Sequence, residues 1–109
     1  MKAKVIASGK IGRDAKSKAL PNERGVIEFD IASNSYYKDR QSGESRESTQ
    51  WHHIKIFVND IKDSFVDKLK TGITVTLVGN LMYDQWEKDE LKRTSAYIET
   101  KSKDIDILS

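Results

Sequence analysis

The sequence predicts an all-β fold of five short strands, with a single helix between the third and the fourth. Two observations lead to this prediction. Apolar residues alternate with polar ones in five short segments, and only the segment after Val58 places its apolar residues at helical spacing. The chain has 109 residues, 33% of them charged and 37% hydrophobic, which fits one domain spanning residues 1–109 with a thin core.

The five strands are separated by long polar segments. Residues 13–25 contain Pro21 and turn-forming neighbours, and residues 38–50 contain no aliphatic residue. We therefore expect a turn in the first segment, a long flexible hairpin loop between two strands in the second, and another polar connection over residues 82–93. The predicted strands are Lys2–Lys10, Val26–Tyr37, Gln50–Val58, Ile73–Leu81 and Thr94–Thr100, with Asp104–Leu108 either extending the last strand or pairing elsewhere.

The predicted helix lies between Asn59, as its N-cap, and Gly72, as its left-handed C-terminal cap. Acidic residues stand near its start and lysines near its end, as the helix dipole favours. Its expected buried face is formed by Ile61, Phe65, Val66 and Leu69. The order β-β-β-α-β-β is that of an OB-fold, a five-stranded Greek-key barrel whose usual ligands are oligonucleotides and oligosaccharides.

The third predicted strand has an unusual outward face. Side chains alternate along a strand, so Trp51, His53, Lys55 and Phe57 share one face, and His52, Ile54, Ile56 and Val58 share the other. The second set is mostly aliphatic and is predicted to face the core. Two aromatics with a lysine and a histidine between them are interpreted as a platform on which nucleic-acid bases stack.

Charge and composition narrow the classes of function. Residues 1–24 carry a net charge of +5 and the remainder −3, which suggests a polyanionic partner. No cysteine is present, no apolar run reaches the roughly 20 residues of a membrane span, and no signal peptide is visible, so we expect a cytoplasmic protein without a membrane association. The adjacent His52 and His53 face opposite ways and do not suit a shared metal ion. We expect no cofactor and, without a nucleophile motif, no enzyme activity.

Several segments resemble the bacterial single-stranded DNA-binding protein family. They are Gly9-Lys10-Ile11-Gly12-Arg13-Asp14, Phe29-Asp30-Ile31-Ala32, Thr49-Gln50-Trp51-His52, Leu69-Lys70-Thr71-Gly72 and Val78-Gly79-Asn80-Leu81. The resemblance implies a tetramer of OB-folds that binds single-stranded DNA without sequence preference in replication, recombination or repair. It also implies that bases stack at four positions, Tyr37, Trp51, Phe57 and Trp86.

Further site residues are weaker predictions. Arg13 and Lys55 are candidate phosphate contacts, and His53 lies on the binding face, where it is within reach of phosphate or base. His52, on the aliphatic face, is interpreted as a hydrogen-bonded core or subunit-interface residue. Trp86 stands in a polar segment, where an aromatic side chain has little core to join.

The chain departs from the family pattern in two respects. Met82-Tyr83-Asp84-Gln85 precedes Trp86 where the family usually has a basic residue, so we expect binding there to depend more on stacking. Family members also usually continue into a linker with an acidic, hydrophobic tip that recruits other proteins. This sequence ends at Ser109 and is interpreted as a short form without that tip, either because a longer chain was shortened or because the form is naturally short.

Two other functions compete with this interpretation. The first is a dimeric OB-fold adaptor of the primosomal type that binds DNA and replication proteins, which sedimentation would distinguish from a tetramer. The second is an OB-fold enzyme fragment, or an interaction module with no nucleic-acid role, and the absence of a catalytic motif disfavours the enzyme version.

Overall fold

The structure is a computed structural model and describes residues 3–109, apart from the side chains of Ser35 and Tyr37. The described residues form seven strands and two short 3-10 helices. The strands are β1 (Ala3–Ile11), β2 (Lys16–Ala19), β3 (Gly25–Lys38), β4 (Ser45–Val58), β5 (Thr74–Lys88), β6 (Leu91–Thr100) and β7 (Ile105–Ile107), and the 3-10 helices are Ser64–Lys68 and Ser102–Asp104.

Five of these strands close into the predicted barrel. The sheet runs in the order β1-β3-β4-β6-β5-β7, and β5 also pairs with β1 along almost the whole of β1, from Ala3 opposite Leu81 to Lys10 opposite Thr74. The pairing of β4 with β6 is parallel and short, joining residues 54–56 to residues 98–100. Closure of β1, β3, β4, β6 and β5 confirms the OB-fold expectation, while the short β2 and β7 lie at its margins.

The barrel core is formed by the alternate residues predicted to face inward. Ile27 and Ile31 of β3, Ile54 of β4, and Val75 and Leu77 of β5 are fully buried. They form one contiguous cluster with the other buried aliphatic side chains. Because successive strand residues face opposite ways, burial of this set leaves the intervening residues of β3 and β4 on the outer face of the sheet.

The predicted helix is shorter than expected. Only Ser64–Lys68 is helical, as a 3-10 turn, and its N-cap is Asp63, not Asn59. Asp60 and Asp63 each accept a hydrogen bond from the backbone N–H two residues later, at 2.9 Å, which favours turns over a regular helix. The backbone beyond also bonds to the barrel, since the carbonyl of Leu69 accepts from the N–H of Ala15 at 2.9 Å.

Two of the predicted polar loops are mostly strand. Pairing of β3 with β4 continues to Lys38 opposite Ser45, and pairing of β5 with β6 continues to Lys88 opposite Leu91. These extensions form two β-ribbons, the β3–β4 ribbon (residues 33–50) and the β5–β6 ribbon (residues 82–97). Their side chains are largely polar on both faces, so the alternation that identifies a half-buried strand is missing from the sequence.

A two-residue turn connects the two strands of the β5–β6 ribbon. Asp89 and Glu90 both have positive φ, 54° and 64°, which is the conformation of a two-residue hairpin turn matched to the twist of its strands.

The first polar segment also contains a strand, since Lys16–Ala19 forms β2 by pairing with β3. Within the described residues, no helix is long and apolar enough to cross a membrane.

Candidate nucleic-acid interface

The outer face of β4 presents the two predicted aromatics to solvent. Trp51 is 61% exposed and Phe57 is 47% exposed. On β3 they lie opposite Ala32 and Val26, respectively. Aromatic side chains of this size usually bury most of their surface, so two on one strand face form an apolar surface available to a flat ligand.

Gly12 makes room for the Trp51 ring. A Cβ atom at Gly12 would lie 2.6 Å from Cζ3 and 2.8 Å from Cη2 of Trp51. The end of β1 therefore passes directly beneath the indole, and only the absence of a side chain allows this approach. The contact of Gly12 with the tryptophan was not predicted from the sequence.

Trp86 lies on the β5–β6 ribbon and faces the same side as the β4 aromatics. It is 47% exposed and pairs with Arg93 of β6. Asp84 stands two residues earlier on β5, and therefore on the same face of the strand. The Asp84 carboxylate accepts a hydrogen bond from the ammonium group of Lys55, on the outer face of β4, at 3.2 Å. This contact places the Trp86 face of the ribbon beside the outer face of β4.

Tyr37 is the fourth predicted stacking residue. Its backbone belongs to the β3–β4 ribbon, where it pairs with Arg46, but its side chain is outside the described part of the chain. Its stacking role stays a prediction.

The structure thus brings three of the four predicted stacking residues, Trp51, Phe57 and Trp86, to one outer surface, which we call the aromatic face.

An ion-pair network crosses the aromatic face. The Lys55 ammonium group lies 3.2 Å from Asp84 Oδ2 and 3.8 Å from Glu28 Oε1, and Glu28 also pairs with Lys18 at 2.6 Å. Partial burial raises the pKa of the Glu28 carboxyl, but hydrogen bonds from Lys18 and His53 together outweigh it and leave that pKa below its ordinary value. Glu28 is therefore a carboxylate at neutral pH.

The two histidines occupy different surroundings. The Nδ1 atom of His53 lies 2.7 Å from Asp30 Oδ1, and its Nε2 atom lies 3.3 Å from Glu28 Oε1, so two carboxylates on β3 hold the ring. His52, on the other face, is partly buried and its Nε2 atom lies 2.9 Å from the hydroxyl of Ser33. The predicted hydrogen bonding of His52 is confirmed, and its role at a subunit interface stays a prediction.

The predicted phosphate contacts differ in how free they are to bind an anion. Lys55 and His53 already face carboxylates, which a phosphate would have to displace. Arg13 lies beside Gly12 and Trp51 in a surface depression that also includes Asp30. No ion pair to Arg13 is found within the described residues, so this guanidinium is the best placed of the three to meet a phosphate.

Tyr97 is a residue of this face that was not among the site residues predicted from the sequence. The Lys55 ammonium group lies 4.3 Å from the centroid of its ring, a cation–π contact. Burial raises the pKa of the Tyr97 hydroxyl, and the nearby Asp84 carboxylate adds to the increase. No local signal identifies Tyr97, because its contact depends on the parallel register between β4 and β6. The described residues contain no cluster of ligating side chains suited to a metal ion.

An OB barrel with exposed aromatics on one outer face defines a class of protein, the nucleic-acid-binding OB-folds. Comparison with known proteins then gives the family. The profile of the Single-strand binding protein family matches residues 2–108, and the chain belongs to this family.

Solved structures with the same fold agree with this assignment. A Plasmodium falciparum SSB in complex with ssDNA matches with a TM-score of 0.81 and 25% identity, over 100% of this chain and 96% of that one. A deletion mutant and the wild-type form of the single-stranded DNA binding protein from Thermus aquaticus match with TM-scores of 0.77 and 0.75. Both are 24% identical, and the match covers 97% of this chain and 50% of each of theirs.

Proposed function

We propose that this chain is a single OB-fold domain, residues 1–109, that binds single-stranded DNA without sequence preference. The observation that carries the proposal is the aromatic face, on which Trp51, Phe57 and Trp86 are exposed together. The proposed role is non-catalytic, in DNA replication, recombination or repair, as is general for the family to which the chain belongs. The proposed location is the cytoplasm.

Base stacking is the main source of affinity in this proposal. Every base has a π-face, so stacking on an aromatic side chain tolerates any sequence and contributes about 1–3 kcal/mol per base. The four proposed stacking residues are Trp51, Phe57, Trp86 and Tyr37, the last from its position in the family pattern.

A phosphate contact is proposed at Arg13 and, more weakly, at His53, whereas Lys55, also predicted from the sequence, is held by carboxylates on both sides. Arg13 needs no exchange of partner, whereas His53 would release a carboxylate to receive a phosphate. Each phosphate neutralised on a single strand contributes a slope of about −0.7 to the dependence of log Kobs on log salt concentration. Because carboxylates are interleaved with the cations, we expect a shallow salt dependence for this face.

The proposed assembly is a homo-oligomer, a tetramer, with a dimer as the alternative. Ile6 of β1 is 77% exposed and lies opposite Val78 of β5, which is 40% exposed. An apolar cavity of about 400 Å³ lies alongside, lined in part by Val5, His52 and Leu81. A second copy covering this surface would remove the exposed aliphatic side chains from water and place His52 at the interface.

Tryptophan fluorescence tests the proposed function directly, because the chain has only two tryptophans and both belong to the aromatic face. We expect oligo(dT) to quench the fluorescence, and Trp51→Ala and Trp86→Ala each to weaken binding by about 5- to 150-fold, the equivalent of one stacked base. Tyr83 is a matched control, since it is 60% exposed on the opposite face of the same ribbon. Tyr83→Ala should leave affinity within about twofold, and an unmodified protein without affinity for any single strand would overturn the proposal.

A further inference from the structure

The β5–β6 ribbon has few backbone connections to the barrel. The last pairing of β5 with β1 is at Leu81, and the pairing of β6 with β4 begins at Ile98. Between these positions, residues 82–97 pair with one another and not with the barrel strands. Since Trp86 belongs to this segment, side-chain contacts must determine where its ring lies relative to Trp51 and Phe57.

One lysine makes the polar contacts that join the ribbon to β4. The Lys55 side chain extends from β4 across β6, with its ammonium group 4.3 Å from the Tyr97 ring centroid, and reaches Asp84 of β5 at 3.2 Å. Among the described residues, no other ion pair involves a side chain of the β5–β6 ribbon. The Lys55 side chain is 20% exposed and that of Asp84 is 52% exposed, so this ion pair is only partly shielded from salt.

Glu28 fixes the other side of the same lysine. Its carboxylate lies 3.8 Å from the Lys55 ammonium group and 2.6 Å from that of Lys18, and its side chain is only 13% exposed. Alternating charges thus extend from β2 through β3 and β4 to β5. A cation held between two carboxylates and an aromatic ring has little freedom to follow a mobile DNA phosphate.

We propose that Lys55 is a positioning residue, a latch that holds the β5–β6 ribbon through Asp84 and Tyr97 and so sets Trp86 in register with the β4 aromatics. Asp84 stands two residues before Trp86, so the two side chains are neighbours on the same face of β5, and a contact that holds Asp84 also restrains the backbone next to Trp86. The acidic residue near Trp86, which departs from the family pattern, is then the partner of the latch. This inference rests on the proposed function and deepens it.

Trp86 itself reports on the latch. In a Trp51→Phe background, Trp86 is the only tryptophan, and the accessibility of its indole to acrylamide measures how firmly the ribbon is held. We expect Lys55→Met and Asp84→Asn each to increase the acrylamide quenching constant, and the double variant to increase it no further than either alone. Lys62→Met is the matched control, since Lys62 is an exposed lysine outside the ribbon and without an ion pair among the described residues, and it should leave the constant unchanged.

Salt titration separates the latch from a direct phosphate contact. For oligo(dT) we expect Lys55→Met to weaken binding by about three- to tenfold, part of the loss of a stacked base, with the salt slope unchanged. A slope that decreases by about 0.7 would make Lys55 a phosphate contact and overturn the latch. Unchanged Trp86 accessibility in both variants would overturn it as well. The acrylamide measurement needs no DNA. If the unmodified protein fails to bind oligo(dT), the proposed function is wrong, but the acrylamide result still decides whether Lys55 holds the ribbon.

Discussion

Replacing Gly12 with alanine should disturb the aromatic face while leaving the barrel folded. The added Cβ would lie 2.6 Å from Cζ3 of Trp51, whereas carbon atoms in ordinary contact are about 3.5–4.0 Å apart. The ring must therefore move by about 1 Å. The clashing atoms lie at the outer edge of the indole, on an exposed side chain, so the ring can tilt at little cost to stability.

The expected effect is on binding. Stacking on Trp51 contributes about 1–3 kcal/mol, and a tilted ring should lose part of it, so Gly12→Ala should weaken oligo(dT) binding by about three- to tenfold. The melting temperature should change by no more than about 3 °C, since the clash is relieved by an exposed side chain. Fluorescence titration measures the affinity, and thermal denaturation followed by circular dichroism measures the stability.

A double-mutant cycle decides whether the effect passes through the ring. In a Trp51→Ala background, the Cβ added by Gly12→Ala has no indole to meet, so this substitution should then change the affinity by less than about twofold. An equal loss of affinity in both backgrounds would refute the reasoning, because the glycine would then act through the backbone of β1 and not through Trp51.

Two further predictions concern assembly and pH. Ile6→Glu places a charge beside Val78 on the surface proposed for a second copy, so we expect sedimentation velocity to show monomers; an unchanged mass would move the interface elsewhere. The pKa of Glu28 lies below its usual 4.5, so its ionised form stabilises the fold at neutral pH, and this contribution is lost as pH falls through the lowered pKa. Glu28→Gln should therefore cost most stability near pH 7 and progressively less below about pH 4.5 in urea denaturation, whereas a constant difference across this range would contradict the assignment.

The barrel could be predicted from the sequence because its core obeys a local rule. Ile27, Phe29 and Ile31 recur every second residue, as do Ile54, Ile56 and Val58, and burial of one sheet face requires this spacing. The same rule placed Trp51 and Phe57 on the outer face. Both are exposed, so their predicted orientation is confirmed, and their stacking role is open to the experiments above.

The strand pairing within the ribbons was not predicted, and the helix was predicted too long, for opposite reasons. The ribbons satisfy their backbone hydrogen bonds by pairing with themselves and need no apolar face, so residues 38–50 and 82–93 resemble loops in sequence. The segment after Val58 has the apolar spacing and charge order of a helix. There Asp60 and Asp63 bond to the backbone two residues later, and the contacts of Leu69 with the barrel override the helical pattern.

The charges of the aromatic face show most clearly what a linear sequence leaves out. Lys55 looked like a phosphate contact because it stands between Trp51 and Phe57, but its neighbours in space are Glu28, Asp84 and Tyr97, which come from three other strands. Glu28 lies directly opposite Lys55 in the antiparallel β3–β4 pairing. The parallel pairing of residues 54–56 with residues 98–100 brings β6, and with it β5, beside β4, and no periodicity in the chain encodes that register. Where carboxylates already neutralise the cations, stacking must supply a larger share of the affinity for a polyanion than the basic residues on this face would suggest.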